Sequence, residues 1–529
     1  MTNGRFLILT LLVLTLLACG LQMVIDFSSE NIAATCLIVA SSLLMFMYLM
    51  WTQAIHTHPL STFSIFGFCF TSQLGALLVQ TAYWTPVSLN LRQPITTFAV
   101  LAMFQVIAMC AHALYRMFDR NSVVRPKHTP SAVRALLKRM GIYKTPTIGT
   151  VWIMGFVGVF AQLFGGGFEA GISGKILQGI AFLAWMPFLI PMFILNVGAT
   201  YCNTRKNYIF LLLYICLIAL LAIAANARGM MLSGIMTIAL FMLLSSLRNQ
   251  SPVRAARLLQ ITIVCALFAA LTVPISDVAT AMVLARSIRK TSSPIKMVEE
   301  TFYYLQQPAL LKKQRDNDNF SNFQSSYDES YFASPLIARL IETKFHDNAL
   351  YFGDRLSDRD RDRVIDTTID LFWTNLPDPM LKGLDIKLNK ANFRFSLGDY
   401  LSHLAGAGEL GGYKVGSSFA QGFALAGYFY PLIYFFICPL LFLSHDLFLY
   451  LGSSDRIEIS PLGMISIWNL FLYGITADNV QVIVMGILRG LPQNIIIYLI
   501  IFYFARWIAS VLAAITGFNH RHITPEQLA

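Results

Sequence analysis

The feature that most limits what this chain can become is the recurrence of apolar runs about 20 residues long. The first opens the sequence: from Phe6 to Ile25 no charged residue intervenes. A helix rises about 1.5 Å per residue, so a run of that length crosses the ~30 Å hydrocarbon core of a bilayer. Spans are expected near 6–26, 32–55, 61–83, 94–118, 147–167, 177–197, 207–226, 229–247 and 259–285, and again near 416–450, 461–488 and 491–516. The stretch 416–450 is too long for one straight crossing, and its first part is expected to be a half-helix or re-entrant segment. With 56% of the 529 residues hydrophobic and only 13% charged, the chain has too little polar surface for a soluble fold. The expected fold class is an all-α polytopic membrane protein of about twelve transmembrane helices, in three parts: a membrane region 1–285, a hydrophilic insertion 286–414, and a second membrane region 415–529.

Leu16-Leu17-Ala18-Cys19-Gly20 looks like a lipoprotein cleavage box, but the apolar run continues to Ile25, which makes an uncleaved first helix the expectation. The net charge of +11 lies mostly in short loops, where it sets topology instead of recruiting nucleic acid. With both termini cytoplasmic, the short cytoplasmic segments hold about 16 basic residues and the short outer ones about five, so the insertion is expected outside the cytoplasm, an expectation that requires both 61–83 and 461–488 to cross the membrane. The eight cysteines fall almost all within apolar runs, and no disulfide framework or Cys-rich metal site is indicated.

The insertion mixes charge with aromatics. Leu336, Ile337, Leu340 and Ile341 fall three and four apart, as do Val364, Ile365, Ile369 and Phe372, and each set predicts an amphipathic helix. Its return to the membrane, Ser396–Pro431, carries the glycines Gly406, Gly408, Gly411, Gly412 and Gly416. Glycine permits tight turns and close approach of another chain, so this stretch is expected to line a cavity at the membrane surface.

Three constellations invite chemistry. Arg228, Arg286 and Arg489 stand at outer ends of spans, against the topological bias, and a guanidinium fork grips phosphate oxygens; snorkelling to headgroups is the plainer alternative. Asp399, His403 and Glu409 form an acid–base set, with Asp399 and His403 on one helical face; a local ion pair at a membrane entry is the alternative. Asp358-Arg359-Asp360-Arg361-Asp362-Arg363 offers D-x-D spacing, but arginines flank each aspartate, and a solvated, internally paired face is the simpler reading.

Gly411-Gly412-Tyr413-Lys414-Val415-Gly416-Ser417-Ser418-Phe419, followed by Gly427-Tyr428, resembles the segment after the large periplasmic loop of Wzy-type O-antigen and exopolysaccharide polymerases. Asn226-Ala227-Arg228-Gly229 is similar to their mid-chain (S/N)-R-G turn, and Leu376-Pro377-Asp378-Pro379 with Lys382 and Lys387 resembles a stretch of their loop. The resemblance covers roughly residues 207 to 450; O-antigen ligases share the layout. It implies a C-type glycosyltransferase-like membrane fold in the bacterial inner membrane, acting without a metal or other cofactor. The substrate would be an oligosaccharide on undecaprenyl pyrophosphate at the outer leaflet, and a polysaccharide chain-length regulator a partner. Arg228, with Arg286, Arg489, Lys414 and Tyr413, would bind substrate, and His403, Asp399 or Glu409 would serve as base. The alternatives are an O-antigen ligase, an acyl- or phosphotransferase working on a lipid carrier, a flippase or transporter, and a structural assembly protein. Against a flippase, no inverted repeat is visible and few ionisable groups lie mid-span, Asp277, Asp478 and Arg506 among them.

Overall fold

A computed structural model of the chain describes residues 2–118, 132–165, 172–198, 204–252, 274–285, 294–319, 331–332, 334, 337–376, 378–412, 414–452 and 456–516. Among them nine helices are long and apolar enough to cross a membrane: Asn3–Ile25, Ser29–Thr52, Pro59–Ala82, Pro94–Phe118, Ile176–Val197, Arg205–Ala224, Gly229–Arg248, Ser418–Asp446 and Val480–Ile515. The chain is therefore a multi-pass, all-α membrane protein. The expected spans 147–167 and 259–285 correspond to shorter apolar helices, Ile148–Phe164 and Pro274–Leu284, the latter's first half lying outside the described residues. The stretch 461–488 is no single span. It breaks into Pro461–Ile465, Ile467–Tyr473 and Val480–Met485, with a turn at 474–479.

Local chemistry sets the helix starts. Thr2, Ser28, Thr147 and Thr204 each accept the N–H three residues on, satisfying a donor that the first turn leaves open. Between the first two spans, Asp26 accepts both the N–H and the hydroxyl of Ser28, so three residues reverse the chain.

Long-range bonds define two ends of the bundle. At one, Asn3 N–H donates to Ser251 O (3.1 Å), Asn196 Nδ2 to Ile459 O (2.9 Å) and Tyr143 Oη to Leu447 O (2.8 Å). A two-stranded hairpin, Leu449–Leu451 against Ile457–Ile459, lies there. At the other end, Gln22 Nε2 donates to Thr81 Oγ1 (3.0 Å), and Asn31 Oδ1 accepts Val87 N–H (2.9 Å). The insertion docks at this second end. The helix Asn3–Ile25 starts, and Leu491–Thr516 finishes, at the hairpin end.

The hairpin end holds a buried polar cluster. Asp446 accepts the N–H (3.2 Å) and hydroxyl (2.6 Å) of Ser61 and the hydroxyl of Tyr115 (3.3 Å). Since the Ser61 hydroxyl is donated to Asp446, His112 Nε2 must donate to Ser61 Oγ (2.8 Å), and its Nδ1 accepts from Tyr48 (2.7 Å). Every member is buried or half-buried in a setting where an unmet polar group costs several kcal/mol.

The expected break in the 416–450 stretch is present. Ser418–Ala426 and Tyr430–Asp446 meet at Gly427, whose φ of 53° suits glycine alone at little cost.

Candidate functional site

The insertion is seated by a helix that periodicity did not reveal. Leu336, Ile337, Leu340 and Ile341 predict a helix; Leu336 lies outside the described residues, the described ones form a short turn at Ile337–Arg339, and the helix proper runs Thr343–Asp354. Residues Thr343 to Leu350 are all buried, so polar and apolar positions alike face protein and no 3.6-residue stripe is left to read. The predicted second helix is present as Asp358–Thr374.

Two features of the bundle receive the Thr343–Asp354 helix. Within Pro59–Ala82 a single π turn, Phe70–Leu74, interrupts the regular ladder and frees carbonyls. Thr71 O accepts Glu342 N–H (2.9 Å) and Ser72 O accepts the Thr343 hydroxyl (2.8 Å). Asp347, wholly buried, takes the N–H of Arg92 (2.8 Å) and Gln93 (3.0 Å), the Thr97 hydroxyl (3.1 Å) and Lys344 Nζ (3.3 Å). One carboxylate thus ties the insertion to the loop and helix start at 92–97.

His346 lies beside it, 3% exposed, with Nδ1 2.8 Å from Ser417 Oγ and the ring against Phe419. Burial pushes this imidazole down to about 3. The docked ring therefore stays neutral at pH values where the unfolded chain, near 6.5, takes a proton. Its contribution to stability is full above about pH 6.5 and is lost as pH falls toward 3, at up to about 1.4 kcal/mol per unit. His346→Gln is expected to flatten that part of the thermal-unfolding profile between pH 6.5 and 4 in detergent; an unchanged slope would refute the assignment.

The returning chain is zipped onto the turn at 474–479. Ser418 N–H donates to Ala477 O (2.8 Å), Val480 N–H to Gln421 Oε1 (2.6 Å), and Gln421 Nε2 to Thr368 Oγ1 (2.8 Å). A Cβ at Gly416 would stand 2.4 Å from Asp478 O, so the glycine is what lets the two backbones meet.

Below this junction lies a cavity of about 560 Å³ between the Tyr430–Asp446 helix and the segments 461–494. Leu441, Leu462, Ile483 and Leu491 give it an apolar wall, and Asn469, Tyr473, Thr476 and Asp478 a polar end. The insertion reaches that end: Tyr473 Oη donates to Glu342 Oε1 (3.3 Å), and Arg339 acts electrostatically on both Tyr473 and Asp478. Of these only Asp478 stands out in the sequence, as a charge inside an apolar run; Arg339 falls within the helix predicted over 336–341 and Glu342 directly after it, with nothing in the pattern to mark either.

The residues singled out by sequence are placed as follows. Arg228 opens the helix Arg228–Arg248 after the cap Ala227, which follows Asn226, whose positive φ (48°) makes the turn and whose amide donates to Met282 O (3.0 Å). Arg286 and Tyr413 lie outside the described residues. Arg489 is exposed and donates to Asn375 O, at the end of the Asp358–Thr374 helix. Asp399 is buried within a capping box, its carboxylate accepting Ser396 N–H (3.2 Å) and Lys414 N–H (3.0 Å). Lys414 Nζ donates to Ser402 Oγ (3.0 Å). His403 is exposed, with Nδ1 3.1 Å from Gly408 O; a carbonyl only accepts, so Nδ1 holds the proton and Nε2 the lone pair. Glu409 is exposed. The structure thus gathers Asp399, His403 and Lys414 into one small fold, gives Asp399 to the backbone and puts Arg489 in a separate contact. In the D-x-D run, Asp360 pairs with Arg363 at 3.2 Å on an exposed face. Among the described residues no group of His, Cys, Asp or Glu is arranged to hold a metal ion.

Compared with protein-family models, with curated proteins and with solved structures, the chain gives no match in any of the three.

Proposed function

We propose that this protein is a bacterial polysaccharide polymerase, transferring a growing glycan from undecaprenyl pyrophosphate to a lipid-linked repeat unit at the outer face of the inner membrane. The observation that carries this reading is the insertion reaching the polar end of a mainly apolar cavity of about 560 Å³. A lipid-linked sugar needs such a place: an apolar wall for the prenyl chain and polar groups where the sugar–phosphate bond reacts. In this reading the insertion end faces away from the cytoplasm, as the basic loops suggest; although 461–488 is no single span, the chain still runs from the hairpin to the insertion end at Ala477 and back along Val480–Ile515, which keeps the assignment of sides.

The reaction needs little from the protein beyond positioning and charge. Pyrophosphate is already a good leaving group, and Arg228, Arg286, Arg489 and Lys414 are the cations proposed to stabilise it. His403, with its lone pair on Nε2, is the proposed base toward the sugar hydroxyl, and Glu409 its alternative. Asp399 then acts by position: its carboxylate fixes Ser396 and Lys414.

In a host that makes one defined surface polysaccharide, deletion of this protein is expected to leave single repeat units on the acceptor lipid, read as one band on a ladder gel. Arg228→Ala is expected to reproduce that pattern. Full-length polymer held on undecaprenyl pyrophosphate would instead indicate a ligase, and repeats left on the cytoplasmic leaflet a flippase.

A further inference from the structure

A second cavity, of about 340 Å³, opens at the seam between insertion and bundle. Leu350, Asp354 and Arg361 line it from the insertion, and Val100, Phe423 and Tyr428 from the bundle. Arg361 belongs to the D-x-D run but not to its exposed pair. Its guanidinium has no hydrogen-bond or ion-pair partner among the described residues, and its Nε is shut off from solvent. Neighbouring cations are engaged otherwise: Arg92 and Arg355 lie over the Tyr351 ring at 4.6 and 4.2 Å. A buried donor on a cation with nothing to donate to is costly and calls for an anionic acceptor. Asp354 gives the same cavity a carboxylate, one oxygen of which takes the Gln93 amide at 3.2 Å once that amide is turned to suit its neighbours.

The level of the cavity is marked by the break at Gly427, beside which Tyr428 and Phe429 are 97% and 73% exposed. Unpacked aromatics at a helix break suit the boundary between headgroups and hydrocarbon. A cation, an anion and an apolar wall at that level describe the outline of an amphiphile. We propose that this cavity binds a phosphatidylethanolamine molecule: phosphate on Arg361, ammonium toward Asp354, and one acyl chain along Val100, Leu350 and Phe423. This site does not depend on the polymerase reading.

Native mass spectrometry of the whole protein in detergent, titrated with phosphatidylethanolamine, tests it. Wild type is expected to retain one lipid that Arg361→Gln binds at least about ten-fold more weakly. Arg363→Gln, on the same helix but in the exposed pair, is expected to bind like wild type, and phosphatidylglycerol is expected to bind wild type less tightly, since it brings no cation to Asp354. Equal retention by Arg361→Gln would overturn the proposal. So would tighter binding of phosphatidylglycerol, or full competition by chain-free glycerophosphoethanolamine, which would make this a site for a free headgroup.

Discussion

Asp347→Ala is expected to destabilise the docked insertion by about 3–5 kcal/mol, the cost of stripping one partner from a buried ion pair. The carboxylate now satisfies two backbone N–H groups, one hydroxyl and the Lys344 ammonium, all with little or no access to water. Removing it leaves those donors facing protein. Asp347→Asn keeps the size but turns an acceptor edge into a donor and removes the charge opposite Lys344, so it is expected to fall between wild type and alanine. Limited proteolysis in detergent reads the effect: the insertion of Asp347→Ala is cut at protease concentrations that spare wild type, while the bundle survives. Wild-type resistance would show that the carboxylate does not hold the insertion.

The second large effect is expected at the opposite end. Asp446→Ala removes the acceptor of Ser61 N–H, Ser61 Oγ–H and Tyr115 Oη–H, and with it the reason for the His112 tautomer. Thermal unfolding in detergent is expected to show a loss of about 3 kcal/mol. The two aspartates share no partner, one lying in the insertion where it docks and one by the hairpin. The double variant is therefore expected to equal the sum of the singles within about 0.5 kcal/mol. A large departure would mean the two ends unfold as one linked unit by a route the contacts do not explain.

The bundle was legible because a bilayer imposes length and apolarity, and the run Phe6–Ile25 shows both. The break at Gly427 was legible for the same reason: too many apolar residues for one crossing. Hydropathy misled at 461–488, whose apolar residues are buried largely against protein, so the backbone is free to turn at 474–479 and receive Ser418 and Gln421. The helix Thr343–Asp354 was hidden for the converse reason. Lys344, His346 and Asp347 look like a solvated face, and only the partners at 71–72 and 92–97, more than 240 residues earlier in the chain, make burying them tolerable. The glycine run signalled close approach, and Gly416 against Asp478 is one such place. The acid–base set looked catalytic by spacing alone, but Asp399 sits at the third position of its helix, where a carboxylate caps the chain.

The most direct test of the polymerase account uses the purified protein in proteoliposomes, supplied with single repeat units on undecaprenyl pyrophosphate and no nucleotide sugar. A ladder of lipid-linked oligomers is expected, which Arg228→Ala abolishes and His403→Ala slows at least about 100-fold. Repeat units that stay single while wild-type protein is folded and the substrate faces the insertion would contradict the polymerase account.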